Sequence, residues 1–184
     1  FSLKPVSFGT QGINLALPDG NYSYTYKASQ GYADIFPGYG KISLTLETGT
    51  VWVQSRLESS SFVSLNASPR ISLGGGNNIL IDLQNQYGID EQGVRHSIVG
   101  FQRSVASDGN GSSVIGSNKD DSITLPENPL RTGKTQVDGG GGSNEVQIFY
   151  TDLSKFNISI YPDGRSGAIS RNNYTYELKN IDSI

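Results

Sequence analysis

The sequence predicts an all-β fold built from many short strands, and three observations carry that reading. Apolar and polar residues alternate with period two along most of the chain, turn formers stand directly after the alternating runs, and no apolar stripe of helical spacing extends beyond two turns. Composition agrees with this, because the 184 residues include 23 Gly and no Met. Glycine supplies the positive φ that tight turns need, and Asn and Asp tolerate it. A chain of this length can bury a real core without staples, as one domain of ordinary size.

The clearest strands are expected at 12–17, 41–46, 50–54, 79–83 and 156–161. Turns follow them at Pro18-Asp19-Gly20-Asn21, Glu47-Thr48-Gly49 and Pro162-Asp163-Gly164, each with Gly where left-handed geometry is required. The strand, Pro-Asp-Gly, turn pattern thus occurs near both ends, as a weak internal repeat. Further corners lie at Leu73-Gly74-Gly75-Gly76-Asn77-Asn78, Gly116-Ser117-Asn118-Lys119-Asp120-Asp121 and Gly139-Gly140-Gly141-Gly142-Ser143-Asn144. Each leads from a polar turn straight into a short apolar strand, as the corner of a stacked coil must. The expected organisation is one all-β domain over 1–184, with aromatic-rich strands over 1–70 and a stack over 71–184.

The segment Gly139-Gly140-Gly141-Gly142-Ser143-Asn144-Glu145-Val146-Gln147 nearly matches the nonapeptide G-G-x-G-x-D-x-U-x. With Val114-Ile115-Gly116-Ser117, the run through Asp121 to Leu125, and the closing stretch from Tyr174 to Ile184, it resembles the repeats-in-toxin, hemolysin-type calcium-binding family. The resemblance covers about 71–184, and 5–20 more weakly. It implies a β-roll or short β-helix-like stack of short strands with glycine-rich turns. It also implies a non-catalytic module of a large secreted bacterial toxin or adhesin, serving in secretion-coupled folding, host-surface binding or both. In the resembled repeat, turn carbonyls and an Asp hold calcium between successive coils, and calcium takes about six to eight oxygens. Here the ligand position holds Asn78, Asp121 and Asn144, so one acid of three remains. If calcium is held, the set implied is Asn118, Asp120, Asp121, Asp138 and Asn144. Otherwise the glycines and asparagines serve tight turns and a side-chain ladder.

Composition removes several function classes. Without Cys there is neither a disulfide framework nor thiolate chemistry, which a secreted protein can do without. A net charge of −3 and no dense basic stripe argue against nucleic acid as a partner. No apolar run approaches the roughly 18 residues that span a bilayer. The opening Phe1-Ser2-Leu3-Lys4 has no charged-then-apolar leader and reads as a mature piece or a domain of a larger chain.

His96 is the single histidine and no G-x-S-x-G elbow is present, so a surface or strand-edge role is expected for it rather than catalysis. Asp34, Glu47, Glu58, Asp82, Asp90 and Glu91 show no spacing that singles out an acid/base pair. Five N-x-S/T sequons, at Asn21, Asn66, Asn110, Asn157 and Asn173, are ascribed to Asn and Ser richness. Tyr22, Tyr24 and Tyr26 recur at period two and so share one face of a strand; Tyr32, Phe36 and Tyr39 follow in a Gly-rich loop. Such tyrosines suit stacking on sugar rings or contact with a host protein, with cross-strand packing as the alternative use. Trp52 is expected to be buried, facing opposite to Val51 and Val53.

The expected function is therefore host-surface binding outside the cell, to a protein or a glycan, through the segment from Tyr22 to Tyr39. A carbohydrate-binding module of a polysaccharide-active enzyme would use the same tyrosines. A small β-helical lyase or hydrolase is the catalytic alternative, and would need carboxylates and a basic residue lining one groove.

Overall fold

The computed structural model describes residues 6–7, 13–53, 58–126, 132–148 and 153–184. Its strands are β1 (Val6–Ser7), β2 (Ile13–Ala16), β3 (Tyr22–Tyr26), β4 (Ala33–Phe36), β5 (Ile42–Leu46), β6 (Thr50–Trp52), β7 (Ser61–Ser64), β8 (Arg70–Ser72), β9 (Leu80–Asp82) and β10 (Tyr87–Ile89). They continue as β11 (Arg95–Val99), β12 (Arg103–Val105), β13 (Ser112–Ile115), β14 (Ser122–Leu125), β15 (Gly133–Asp138), β16 (Glu145–Ile148), β17 (Asn157–Ile160), β18 (Gly167–Arg171) and β19 (Tyr174–Lys179). The only helical turns among the described residues are 3-10 turns at Ala28–Gln30 and Leu153–Lys155. No helix among the described residues is long and apolar enough to cross a membrane.

The strands form an eight-stranded sheet ordered β1-β2-β4-β6-β8-β12-β14-β16 and an eleven-stranded sheet ordered β17-β18-β19-β15-β13-β9-β10-β11-β7-β5-β3. From β2 to β9 successive strands alternate between the sheets, and from β2 to β8 each pairs in parallel with its neighbour two steps along, as β3 with β5 and β5 with β7, whereas β7 goes on to β11 and β9 to β13. Antiparallel pairs interrupt this pattern at β1–β2, through β9–β10–β11 and through β17–β18–β19.

The all-β character expected from the alternation is present. The β-roll or short β-helix-like stack is not the architecture: the sheets are mixed parallel and antiparallel, and strands from before and after residue 70 lie in the same two sheets. The reason is local. After β9 the chain does not cross over, because Asp82 caps the turn by accepting the Asn85 amide at 2.8 Å, and Gln86 takes φ 60, returning the chain beside its own strand. Period-two alternation fixes which face of a strand is buried but is indifferent to the direction of its partner.

The expected strands at 41–46, 50–54, 79–83 and 156–161 appear as β5, β6, β9 and β17, and the run at 12–17 contains β2. Gly20, Gly49 and Gly164 have φ of 121°, 94° and 70°, the geometry expected of the turns they close. The core lies between the sheets, as columns of inward residues in register. In the eight-stranded sheet one column runs Leu15, Ile35, Val51, Ile71, Ser104, Ile123, Val146. Opposite it, Tyr24, Leu44, Phe62 and Ile98 form one column, and Ile81, Val114, Val137 and Leu178 another. The aliphatic members beyond Tyr24 are all nearly fully buried, each stabilising by about 1.5–3 kcal/mol.

Candidate binding surface

Asp121, Asn144 and Asp182 occupy equivalent points of successive windings, because Ser122 pairs with Glu145 and Glu145 bridges to Ser183. Asn144 links all three. Its Oδ1 accepts the Asp121 amide at 3.1 Å, and its own amide donates to Asp182 Oδ2 at 2.9 Å. Its Nδ2 donates to the carbonyls of Gly141 and Asn180, both at 3.0 Å. Asp121 is buried, and its carboxylate accepts the Ser117 amide at 2.6 Å and the Ser117 hydroxyl at 3.0 Å. Burial pushes the Asp121 carboxyl up to about 6, against the pull of the Ser117 bonds.

The other residues of the calcium set are engaged in the same way. Asp120 Oδ1 accepts the Ser143 amide at 2.9 Å, and Asn118 stands exposed at the tip of its corner. Asp138 accepts the Gly140 amide at 3.0 Å, Asn180 Nδ2 at 2.7 Å and Lys179 Nζ at 3.1 Å. Burial alone would raise the Asp138 carboxyl, but these donors hold it below the usual range. In this arrangement the set is a hydrogen-bonded ladder: Asn144 turns donors toward carbonyls, and the carboxylates already have donors. Among the described residues no group of three or more His, Asp or Glu is placed to hold a metal ion.

The glycines beside these residues serve close stacking. A Cβ on Gly116 would lie 2.1 Å from the Gly139 carbonyl oxygen, and one on Gly139 would lie 2.3 Å from that of Asn180. The glycine-rich motif therefore marks where three windings touch backbone to backbone.

The six aromatics expected to bind ligand do not come together. Tyr22, Tyr24 and Tyr26 share one face of β3, as expected, but it is the inner face: Tyr26 is buried, and Tyr22 and Tyr24 pack half-exposed against the core. Phe36, half-buried, belongs to β4 in the other sheet. Tyr32 and Tyr39 are exposed, and the Tyr32 hydroxyl shares a hydrogen bond with Thr50 Oγ1. Trp52 is half-exposed rather than buried, with its indole N–H donating to Asp34 Oδ1 at 2.9 Å.

His96 lies in the interior rather than at a surface or strand edge. Its Nε2 is 3.3 Å from Asp90 Oδ2, and its Nδ1 accepts the Ser60 amide at 3.3 Å. With Nδ1 an acceptor, Nε2 carries the proton and donates to Asp90. Both ring nitrogens are thus engaged, and burial outweighs Asp90 to hold the imidazole below its usual value.

The most regular polar arrangement was not singled out by the sequence reasoning. Ser23, Ser43, Ser61 and Ser97 pair in register across β3, β5, β7 and β11, forming one row on the outer face of the eleven-stranded sheet. Thr25, Thr45, Val63 and Val99 form a second row two residues along. Extending the register in the other direction aligns Asn21, Lys41, Ser59 and Arg95. Two bonds support that alignment: Asn21 Oδ1 accepts the Lys41 amide at 2.9 Å, and the Ser59 hydroxyl donates to the Arg95 carbonyl at 2.7 Å.

Residues of the serine row and of the Asn21 row line a trough of about 520 Å³. Beneath it the buried Ser60 hydroxyl accepts the Ile42 amide at 3.0 Å and donates to the Glu58 carbonyl at 2.8 Å. The serine-row hydroxyls themselves make no hydrogen bond to another described residue. Aligning the outward position of S-Y-T, S-L-T, S-F-V and S-I-V is the signal that would have found the row.

Comparison with models of known protein families gives no match, and comparison with curated proteins gives none either.

Proposed function

We propose that this protein is a non-catalytic binding module that acts outside the cell and takes carbohydrate on a surface through the outer face of its eleven-stranded sheet. The row of four in-register serines lining a trough carries this reading. Their hydroxyls, each a donor and an acceptor, suit sugar hydroxyls, and strand pairing fixes their spacing before any ligand arrives, which lowers the entropy lost on binding.

The state of His96 supports a non-catalytic reading, since a buried imidazole bonded at both nitrogens has no lone pair for a substrate proton. The resemblance to repeats-in-toxin proteins supports an extracellular setting, with which the absence of Cys is compatible.

A glycan array probed with the intact protein tests the reading. Ser43→Val and Ser61→Val are expected to abolish any signal while leaving the unfolding midpoint within a degree or two. Retained binding in both variants would move the site elsewhere, and an array with no signal would remove the carbohydrate reading.

A further inference from the structure

Lys41 lines the trough, and Arg95 stands in the same register row one strand beyond Ser59. Resting on the carbohydrate reading above, we infer that the ligand is an acidic oligosaccharide, bearing carboxylate or sulfate on alternate sugars and lying across the strands from β5 to β11. Lys41 and Arg95 stand in the same row, two strands apart, with Ser59 between them. At about 4.8 Å per strand their anchor points are about 10 Å apart, on the order of a disaccharide step along an extended glycan, since each sugar ring with its linkage is comparable in length to one strand spacing.

Both cations are exposed, and neither forms an ion pair with a described residue. In the free protein the Arg95 guanidinium rests 3.8 Å from the centroid of the Tyr87 ring, over β10 on the side of β11 away from β7, and binding turns it toward Ser59. There it offers a carboxylate or sulfate two parallel N–H donors, and Lys41 supplies a point charge that moves to meet the next. No lining residue of the trough is an acid. Two acids adjoin lining residues without being among them: Asp19, whose Oδ1 accepts the Tyr39 amide at 2.8 Å, and Glu58, next in sequence to Ser59. Beside the cation row, two residues along each strand, the serine hydroxyls face the glycan, so charge sets the register and hydroxyls fill it.

Calorimetric titration of the whole protein with two hexasaccharides tests this, one alternating uronic acid with amino sugar and one uncharged and β-linked. The acidic probe is expected to bind, to weaken as salt rises from 50 to 300 mM, and to lose about tenfold in affinity with Lys41→Gln and again with Arg95→Gln. Lys41→Arg should keep most of the affinity. Both cations are exposed, so the glutamine variants are expected to fold, and an unchanged unfolding midpoint verifies that. Equal binding of the uncharged hexasaccharide, or indifference to both glutamine variants, overturns the acidic ligand while leaving the carbohydrate reading standing. Binding of neither probe, with an empty array, overturns both.

Discussion

His96 and Asp90 form a buried pair, Nε2 to Oδ2 at 3.3 Å, with each side chain almost fully enclosed. Asp90 also accepts the amides of Gln92 at 3.0 Å and Val94 at 2.9 Å, so one carboxylate holds the turn between β10 and β11 and the ring that fastens β11 to Ser60. A proton on Nδ1 would face the Ser60 amide donor to donor. The folded imidazole lies below its ordinary 6.5, so between those two values the unfolded chain binds more protons. Stability is therefore fully present above about pH 6.5 and is lost as the pH falls toward the folded value. With Asp121→Asn in place, which removes the opposing titration of that carboxyl, urea midpoints from pH 7.5 to 5 are expected to decline, and adding His96→Gln should flatten that part of the profile. A midpoint that stays level in the Asp121→Asn variant would refute the coupling.

Asp121 has the opposite sign. Its folded value of about 6 lies above the ordinary 3.8, so its contribution is present below about pH 3.8 and lost as the pH rises through about 6. With His96→Gln in place, stability should rise on acidification through this range by about 1–3 kcal/mol. Adding Asp121→Asn should remove the rise, and a double variant that keeps it would show that another group is titrating.

Asn144→Asp tests whether the corner is a ladder or a cation cage. A carboxylate cannot donate to the Gly141 and Asn180 carbonyls, so the substitution is expected to cost about 2–4 kcal/mol in chelator. In the parent protein millimolar calcium is expected to leave the unfolding midpoint unchanged. An upward shift on adding calcium, reversed by chelator, would assign a cation to these residues, since ligand at about a hundred times its dissociation constant stabilises by about 2.7 kcal/mol.

Gly116→Ala and Gly139→Ala each drive a methyl into a neighbouring backbone carbonyl, at 2.1 and 2.3 Å. Backbone cannot rotate away as a side chain does, so each is expected to cost about 2–3 kcal/mol or more. Gly93→Ala meets no atom within 4 Å, and its cost comes from its φ of 78°, a strain absent at Gly116 and Gly139. Losses at Gly116 and Gly139 below about 0.5 kcal/mol in denaturant titrations would mean that the backbones part freely and close stacking contributes little.

The tyrosines separate by position. Tyr26→Ala should destabilise by about 3–5 kcal/mol as a large-to-small core change, whereas Tyr39→Ala, at a residue 45% exposed, should change the midpoint little. Loss of glycan binding in Tyr39→Ala at unchanged stability would return the site to the aromatic segment.

Much of this molecule was legible in its sequence, but unevenly. The strands at 41–46 and 156–161, and the glycine turns after them, follow from local rules that the backbone obeys residue by residue. The destination of each strand did not, because the choice between crossing to the other sheet and turning back depends on a few polar contacts such as Asp82 with Asn85. The same limit explains the site. Tyr22, Tyr24 and Tyr26 were correctly placed on one face, yet alternation cannot say whether that face looks inward. The serine row exists only across four strands, and no window along the chain contains it.

The hairpin made by β10 and β11 has a consequence for how such a chain tolerates change. Because β11 runs parallel to β7 and β9 runs parallel to β13, the pair can sit between them without reversing the path of anything that follows. At the far end β17 and β18 precede β19, which lies parallel to β15, so that excursion too contains an even number of strands. The one unpaired reversal, β1, lies at the edge of its sheet. Parity thus acts as a rule of grammar for this fold: strands enter or leave its interior in twos, and an odd insertion would send every later segment the wrong way.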